Sequence, residues 1–82
     1  MKKATPSQKK VLNQLIFIES YETLLTETGL QRGELRDDLI QLINAGMIQV
    51  FDPANQKQVT AYDSDRLDLF CFRASSSGLA QR

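Results

Sequence analysis

The feature that most constrains the fold is the stretch TETGLQRGELRDDLIQLINAGMI, which runs from Thr26 to Ile48. Gly29 and Gly46 suit the left-handed backbone that ends many helices. Between them, apolar residues recur at three- and four-residue intervals, the spacing that places them on one side of an α-helix: Leu35, Leu39, Leu42 and Ile43. The stretch therefore predicts a helix ending at Gly29, a tight turn pinned by a buried Leu30, and a second helix from Gln31 to Gly46.

A further helix is predicted to precede this pair. Thr5 can cap it, Pro6 suits its first position, and Gln8 stands three residues after Thr5 as the partner in a capping box. An apolar stripe then predicts a helix that ends near Glu19 or Ser20; its members are Val11, Leu12, Leu15, Ile16, Phe17 and Ile18. The short helix that ends at Gly29 follows as the middle one of three, with Tyr21, Leu24 and Leu25 facing inward.

The second half of the chain indicates β-structure. Met47 to Phe51 and Leu67 to Phe72 are rich in β-branched and aromatic residues, so both predict strands. Residues 53–66 are interpreted either as one long loop or as a loop that includes a short strand at Gln58 to Tyr62. The small polar run after Arg73 predicts a turn followed by a frayed tail.

Composition limits the kind of protein. The 82 residues are enough for one small domain, and 41% hydrophobic with 24% charged residues is ordinary globular composition. The net charge is zero, but residues 1–10 carry four lysines and no acid, whereas residues 11–82 carry six bases and ten acids. One cysteine, Cys71, excludes an intrachain disulfide. No membrane-length apolar run or signal-peptide pattern occurs, so a cytoplasmic protein is expected.

The order helix, helix, turn, helix and two strands resembles the winged helix-turn-helix superfamily over roughly residues 7–79. LLTETGL is similar to the family's second helix and turn, LRDDLIQLINAGMI to its third helix and first wing strand, and FRASSSGL to its common strand ending. The resemblance implies an α+β fold: a small winged helix of three helices followed by a two- or three-stranded antiparallel wing. Residues 1–6 would be a basic flexible arm, 7–79 the domain, and 80–82 a frayed tail.

The resemblance also implies a non-enzymatic, transcription-regulator-like module that binds duplex DNA and forms a homodimer. In such domains the third helix presents its outer residues to base edges. The matching candidates on that helix are Gln31, Arg32, Arg36 and Gln41. Lys57 would serve in the wing, and the N-terminal lysines would add sequence-independent affinity for phosphates: Lys2, Lys3, Lys9 and Lys10.

The third helix departs from the family at Glu34 and Asp37, where Ser, Thr or basic residues are usual. A carboxylate that faces phosphates is repelled unless it accepts a hydrogen bond from a cytosine amino group. The alternative interpretation is therefore a winged-helix protein-interaction module, without DNA binding, whose contact residues are Glu34, Asp37 and Ile40. A third interpretation of Arg36 is an arginine paired with acids on a solvated helix face.

Catalysis, metal binding and cofactors are not expected. The chain has no histidine and one cysteine, so the usual general base, cysteine–histidine pair and zinc ligand sets cannot be assembled. Asp63 and Asp65 could hold a hard cation, but no further oxygen ligands follow at the required spacing, and a turn with capping acids fits better.

Overall fold

The computed structural model describes residues 4–81 and combines helices with one antiparallel sheet. The α-helices are α1 (Pro6–Gln14), α2 (Tyr21–Thr28), α3 (Arg32–Asn44) and α4 (Ser76–Gln81). The strands are β1 (Glu19–Ser20), β2 (Ile48–Phe51) and β3 (Cys71–Ala74), and a 3-10 helix spans Leu67–Leu69. The strand order is β1-β3-β2, so β3 lies in the middle of the sheet.

The start of α1 is confirmed at Thr5. The Thr5 hydroxyl oxygen accepts from the Gln8 N–H at 3.2 Å, and Gln8 Oε1 accepts from the Thr5 N–H at 3.0 Å, which completes the capping box. Pro6 occupies the first turn. The Gln8 side chain is buried, and its amide donates to Gln41 Oε1 at 2.8 Å, so the cap also ties α1 to α3.

The predicted end of α1 is wrong. The helix ends at Gln14, and Glu19 and Ser20 form β1, which pairs with Phe72 and Cys71 of β3. The carbonyl of Leu15 accepts from the Ala74 N–H at 2.9 Å, so the chain is already hydrogen-bonded to β3 at Leu15. Ile16 and Phe17, predicted to extend the apolar stripe, are 41% and 75% exposed.

The helix pair predicted from Thr26 to Ile48 is confirmed. Gly29 has φ +70° and ends α2. Leu30, predicted to be buried, packs against the core but is only half-buried. Gly46, at φ +76°, ends α3 in a Schellman motif, because the Met47 N–H donates to Leu42 O at 2.9 Å and the Gly46 N–H to Ile43 O at 3.0 Å. This turn directs the chain from α3 straight into β2.

The second predicted strand is partly wrong. Its first half is the 3-10 helix Leu67–Leu69, and β3 starts at Cys71 and continues to Ala74. Val50 lies opposite Phe72 across the β2–β3 ladder. Within residues 52–66, a single bridge joins Gln58 to Phe51. Of the strand predicted as an alternative at residues 58–62, only Gln58 is therefore paired. The rest of that segment is loop.

The C-terminal run is a helix rather than the predicted turn and frayed tail. The Leu79 N–H donates to Ser75 O at 2.9 Å, and the Ser75 hydroxyl oxygen accepts from the Gly78 N–H at 3.2 Å. α4 packs against α1 and β3. Lys2 and Lys3, assigned from the sequence to the basic arm, lie outside the described residues, and the division into arm, domain and tail stays a prediction.

One core lies between the helices and the sheet. α1, α2 and α3 each contribute residues at helical spacing, and the inner face of the sheet contributes alternate residues. The residues with less than 2% exposure are Val11, Leu12, Leu15, Leu24, Leu35, Leu39, Leu42 and Phe72. Because the buried side of α3 is defined by Leu35, Leu39 and Leu42, the opposite side of that helix faces solvent.

Candidate interaction surface around the third helix

The solvent side of α3 follows from its buried side. At about 100° per residue, the positions opposite Leu35, Leu39 and Leu42 carry no basic residue. They are Gly33, Glu34, Asp37, Ile40, Gln41 and Asn44, all exposed except Ile40, which is half-buried. Arg32 and Arg36, four residues apart, both belong to one flank of the helix, where neighbouring elements reach them.

Arg32 is held on the flank next to α2. Its guanidinium lies 3.3 Å from Glu22 Oε1 and 5.8 Å from the centre of the Tyr21 ring. The Tyr21 hydroxyl donates to the Arg32 carbonyl at 3.3 Å. These contacts place the arginine side chain along α2. Both charged side chains are largely exposed, so this pair contributes at most about 1 kcal/mol to stability.

Arg36, one turn further along the same flank, is held by the loop that precedes the 3-10 helix. Its Nε donates to the Ser64 carbonyl at 3.2 Å, one terminal nitrogen lies 3.0 Å from Asp65 Oδ1, and the other lies 3.5 Å from Asp37 Oδ1. All three guanidinium nitrogens thus have partners within the chain. The interpretation of Arg36 as an arginine paired on a solvated helix face agrees with this geometry.

The remaining polar candidates on α3 also contact the chain itself. Glu34 Oε1 accepts from the Gln31 backbone N–H at 3.3 Å, which caps the helix start. Gln41 Oε1 accepts from Gln8, as described above. Gln31 is exposed. Of the DNA-contact candidates on α3, three side chains are therefore engaged within the protein: Arg32, Arg36 and Gln41.

Acidic groups from three elements meet around these arginines, and we call this surface the acidic rim. Glu22 joins it through Arg32, Asp37 and Asp65 join it through Arg36, and Asp63 joins it because its Oδ1 accepts from the Asp65 N–H at 2.9 Å. With Glu34 it holds five carboxylates and two guanidinium groups, a net charge of −3. Asp38, next along α3, is half-buried, and its Oδ2 has no hydrogen-bond partner within residues 4–81.

Ile40 packs against the core while keeping part of its side chain exposed. Its half-buried position is ordinary for a residue at the edge of a helix interface. The large exposed apolar groups in the described part of the chain are Ile16, Phe17 and Leu69, which lie outside α3. Sequence reasoning placed Ile16 and Phe17 in the core because it continued α1 too far.

The lysine candidates among the described residues are Lys9, Lys10 and Lys57. Lys9 and Lys10 are exposed on α1, and Lys57 is exposed in the loop after β2. No ion pair joins these three lysines to a carboxylate of residues 4–81. The backbone of Lys57 is fixed, because its N–H donates to Asn55 Oδ1 at 2.9 Å and its carbonyl accepts from the Asp52 N–H at 2.9 Å. These lysines are available for contacts with a partner.

The Asp63–Asp65 segment forms a turn in which Asp63 accepts from the backbone two residues on. Within residues 4–81, no three side chains of the metal-ligating types come together. Sequence reasoning missed the role of Asp65 as the partner of Arg36. A pair separated by 29 residues through an irregular loop leaves no periodic signal.

Cys71 is half-buried in β3, and burial raises the pKa of its thiol above the ordinary value of 9.0. The carboxylates of Glu19 and Asp52 raise this pKa further, by repelling the thiolate. Because the folded protein holds the proton more tightly than the unfolded chain, this contribution to stability is complete below pH 9 and is lost as the pH rises through the folded pKa.

We therefore expect the free energy of unfolding to fall more steeply above pH 9 in the native protein than in Cys71→Ser. Urea titrations of both proteins over the alkaline range measure this difference, since other titrating groups are common to the two. Equal slopes would contradict the assigned direction of the pKa shift.

Comparisons of this chain with models of protein families, with curated proteins and with solved structures found no match. Across residues 4–81, none of the helices has the length and apolar character needed to cross a membrane.

Proposed function

We propose that this chain is a winged-helix domain. The element order supports the proposal: a helix and a short strand precede a helix-turn-helix, and two antiparallel strands joined by a long loop follow it. The short strand β1 joins the same sheet, which makes the wing three-stranded. A fold of this kind serves several functions, so the function is inferred from the surface.

We further propose that the domain is a non-catalytic protein-interaction module whose acidic rim binds a basic surface on a partner protein. The observation that carries this proposal is the pairing of Arg36 with Asp65, Asp37 and the Ser64 carbonyl. It directs the Arg36 guanidinium towards the protein's own loop. Unpaired carboxylate oxygens at Glu34 and Asp37 are left on the outside of the rim.

The balance of energies favours protein over DNA. Opening the exposed pairs of Arg32 and Arg36 would cost only about 1 kcal/mol each, so pairing alone does not prevent these arginines from reaching phosphates. The net charge of −3 is what disfavours DNA, because a duplex on the rim would place its phosphates next to carboxylates that have no counter-charge. A basic protein surface gains from the same field, which would speed its association.

Duplex DNA binding is the second candidate, and the free lysines favour it. Lys9, Lys10 and Lys57 have no acidic partner in the described residues, and together with Lys2 and Lys3 they could contact phosphates without using α3. Contacts from the third helix would in addition use the exposed Gln31 and would require Arg32, Arg36 and Gln41 to exchange their internal contacts for base or backbone contacts.

The first test is a titration of the protein into labelled mixed-sequence duplex at low salt, followed by an increase in salt, for the native chain and for Arg32→Ala plus Arg36→Ala. We expect no saturable binding at low salt, where phosphate contacts are strongest. Saturable binding that weakens with salt, and weakens further in the double variant, would overturn the proposal in favour of DNA.

The second test uses a photo-crosslinking residue at position 37 in cells that produce the protein, with position 13 on α1 as the matched exposed control. We expect protein crosslinks at position 37 that position 13 does not give, and that are lost when Glu34 and Asp65 are changed to glutamine and asparagine. Crosslinks at position 37 to nucleic acid alone, or to nothing, would contradict a protein-binding rim.

A further inference from the structure

A cleft of about 390 Å³ lies on the far side of β2 from β3. Its walls are the C-terminal end of α3 with Gly46, the strand β2, and the segment that runs back along β2 from Gln58 to Tyr62. The cleft exists because this segment follows β2 only briefly. The Asp52 N–H donates to Lys57 O and the Val59 N–H to Val50 O, both at 2.9 Å, and beyond Val59 the two chains separate.

The separation leaves part of the β2 edge unpaired. The Ser75 N–H donates to Met47 O, so residues 47, 49 and 51 face β3, and the antiparallel alternation turns residues 48 and 50 outward. The outward carbonyl of Val50 accepts a hydrogen bond from the Val59 N–H. The N–H and C=O of Ile48 have no partner from the sheet in the described part of the chain, although the Ile48 side chain is buried. It is therefore the backbone of Ile48 that faces the cleft.

The lining of the cleft is uncharged. Polar side chains surround the free backbone groups, and four of them make no hydrogen bond within residues 4–81: Gln49, Gln58, Thr60 and Tyr62. Ile43 and Val59 supply the apolar part. Neither an acid nor a base lines the space, so a charged ligand would lose hydration there without gaining a counter-charge.

We propose that this cleft binds an extended, uncharged peptide segment of a partner protein, which adds a strand to the free edge of β2. The backbone of a strand offers a donor and an acceptor at the spacing that satisfies the N–H and C=O of Ile48 together. Uncharged side chains of the bound segment then meet Gln49 and Thr60 on one side and Ile43 on the other. This inference does not rest on the acidic rim, which lies on a different part of α3.

The test begins with selection of binders from a display library of random linear heptapeptides, using the full native chain. The selected peptide is then titrated into Thr60→Trp, in which a large side chain fills the cleft, and into Ala54→Trp, an equally exposed site on the same loop that does not line it. We expect about a tenfold or greater loss of affinity in Thr60→Trp and no loss in Ala54→Trp. Circular dichroism of both variants checks that they fold.

Two further measurements identify the mode of binding. The amide resonance of Ile48 should shift on peptide addition, and methylation of the peptide nitrogen that faces Ile48 should abolish binding, since it removes a backbone donor. Failure to enrich any peptide, or equal binding by Thr60→Trp, would overturn the proposal. Peptides that instead shift the amides of the acidic rim would overturn it while supporting the proposed function, so the two ideas fail separately.

Discussion

Replacing Gly78 by alanine should strongly destabilise the protein, although alanine is the better helix former. A Cβ atom at position 78 would collide with the Met47 carbonyl oxygen, and it would lie 3.0 Å from the Met47 carbonyl carbon and 3.1 Å from Leu12 Cδ2. The Met47 carbonyl cannot yield easily, because it accepts from the Ser75 N–H at 2.8 Å. Overpacking of this kind costs about 1–3 kcal/mol, more than the ~1 kcal/mol gained in helix propensity.

The net loss should be up to about 2 kcal/mol, a large share of the ~4–12 kcal/mol expected for a domain of this size. Chemical denaturation measures it as a lower midpoint with an unchanged slope. Gly33→Ala is the matched control, because nothing lies within 4 Å of its Cβ position in α3, and it should stabilise by up to ~1 kcal/mol. Equal stability of the two variants would mean that α4 does not pack on Met47.

The helix that contains Gly78 was not predicted from the sequence. The run Ala74 to Leu79 is poor in good helix formers, so composition favoured a turn. The helix forms because it packs against α1 and β3 and because Ser75 serves it as a cap. In a run of three serines, the position of that cap cannot be chosen without knowing where the preceding strand ends.

The two strand errors have a similar cause. Ile16 to Ile18 fit a helical stripe as well as they fit a strand, and the pairing of Glu19 with Phe72 decided between the two. Leu67 to Phe72 fit a strand by alternation, yet Leu67 is buried in a 3-10 turn that packs on α2. By contrast, the helix ends at Thr5, Gly29 and Gly46 depend on backbone groups only a few residues away along the chain. All three were predicted correctly from the sequence.

The candidate site divides in the same way. The acids of α3 were visible from the sequence, and the spacing of Leu35, Leu39 and Leu42 was enough to place Glu34 and Asp37 on its outer side. The contact of Arg36 with Asp65 could not be predicted from the sequence, because it depends on the path of the loop through residues 52–66. That contact brings Asp65 and Asp63 to the acidic rim, and the resulting net charge of −3 is the reason we propose a protein partner rather than DNA.

Reversing charge on the outer side of α3 should create the DNA binding that we expect to be absent in the native chain. Asp37→Lys combined with Asn44→Lys changes the charge there by +3, which cancels the −3 of the acidic rim and places two lysines on the side of the helix that faces away from the core. Lysine at the last residue of α3 also suits the negative end of the helix. We expect affinity for mixed-sequence duplex to rise about tenfold or more at low salt and to fall as salt increases.

The control is Asn13→Lys combined with Glu27→Lys, which makes the same change in net charge at exposed positions of α1 and α2. If the third helix is the part of the domain that would enter a groove, only the α3 variant gains strongly. An equal gain in the control would mean that total charge alone governs binding. No gain in either would mean that the carboxylates of Asp37 and its neighbours are not what keeps the duplex away, and the acidic rim would then give no reason to prefer a protein partner over DNA.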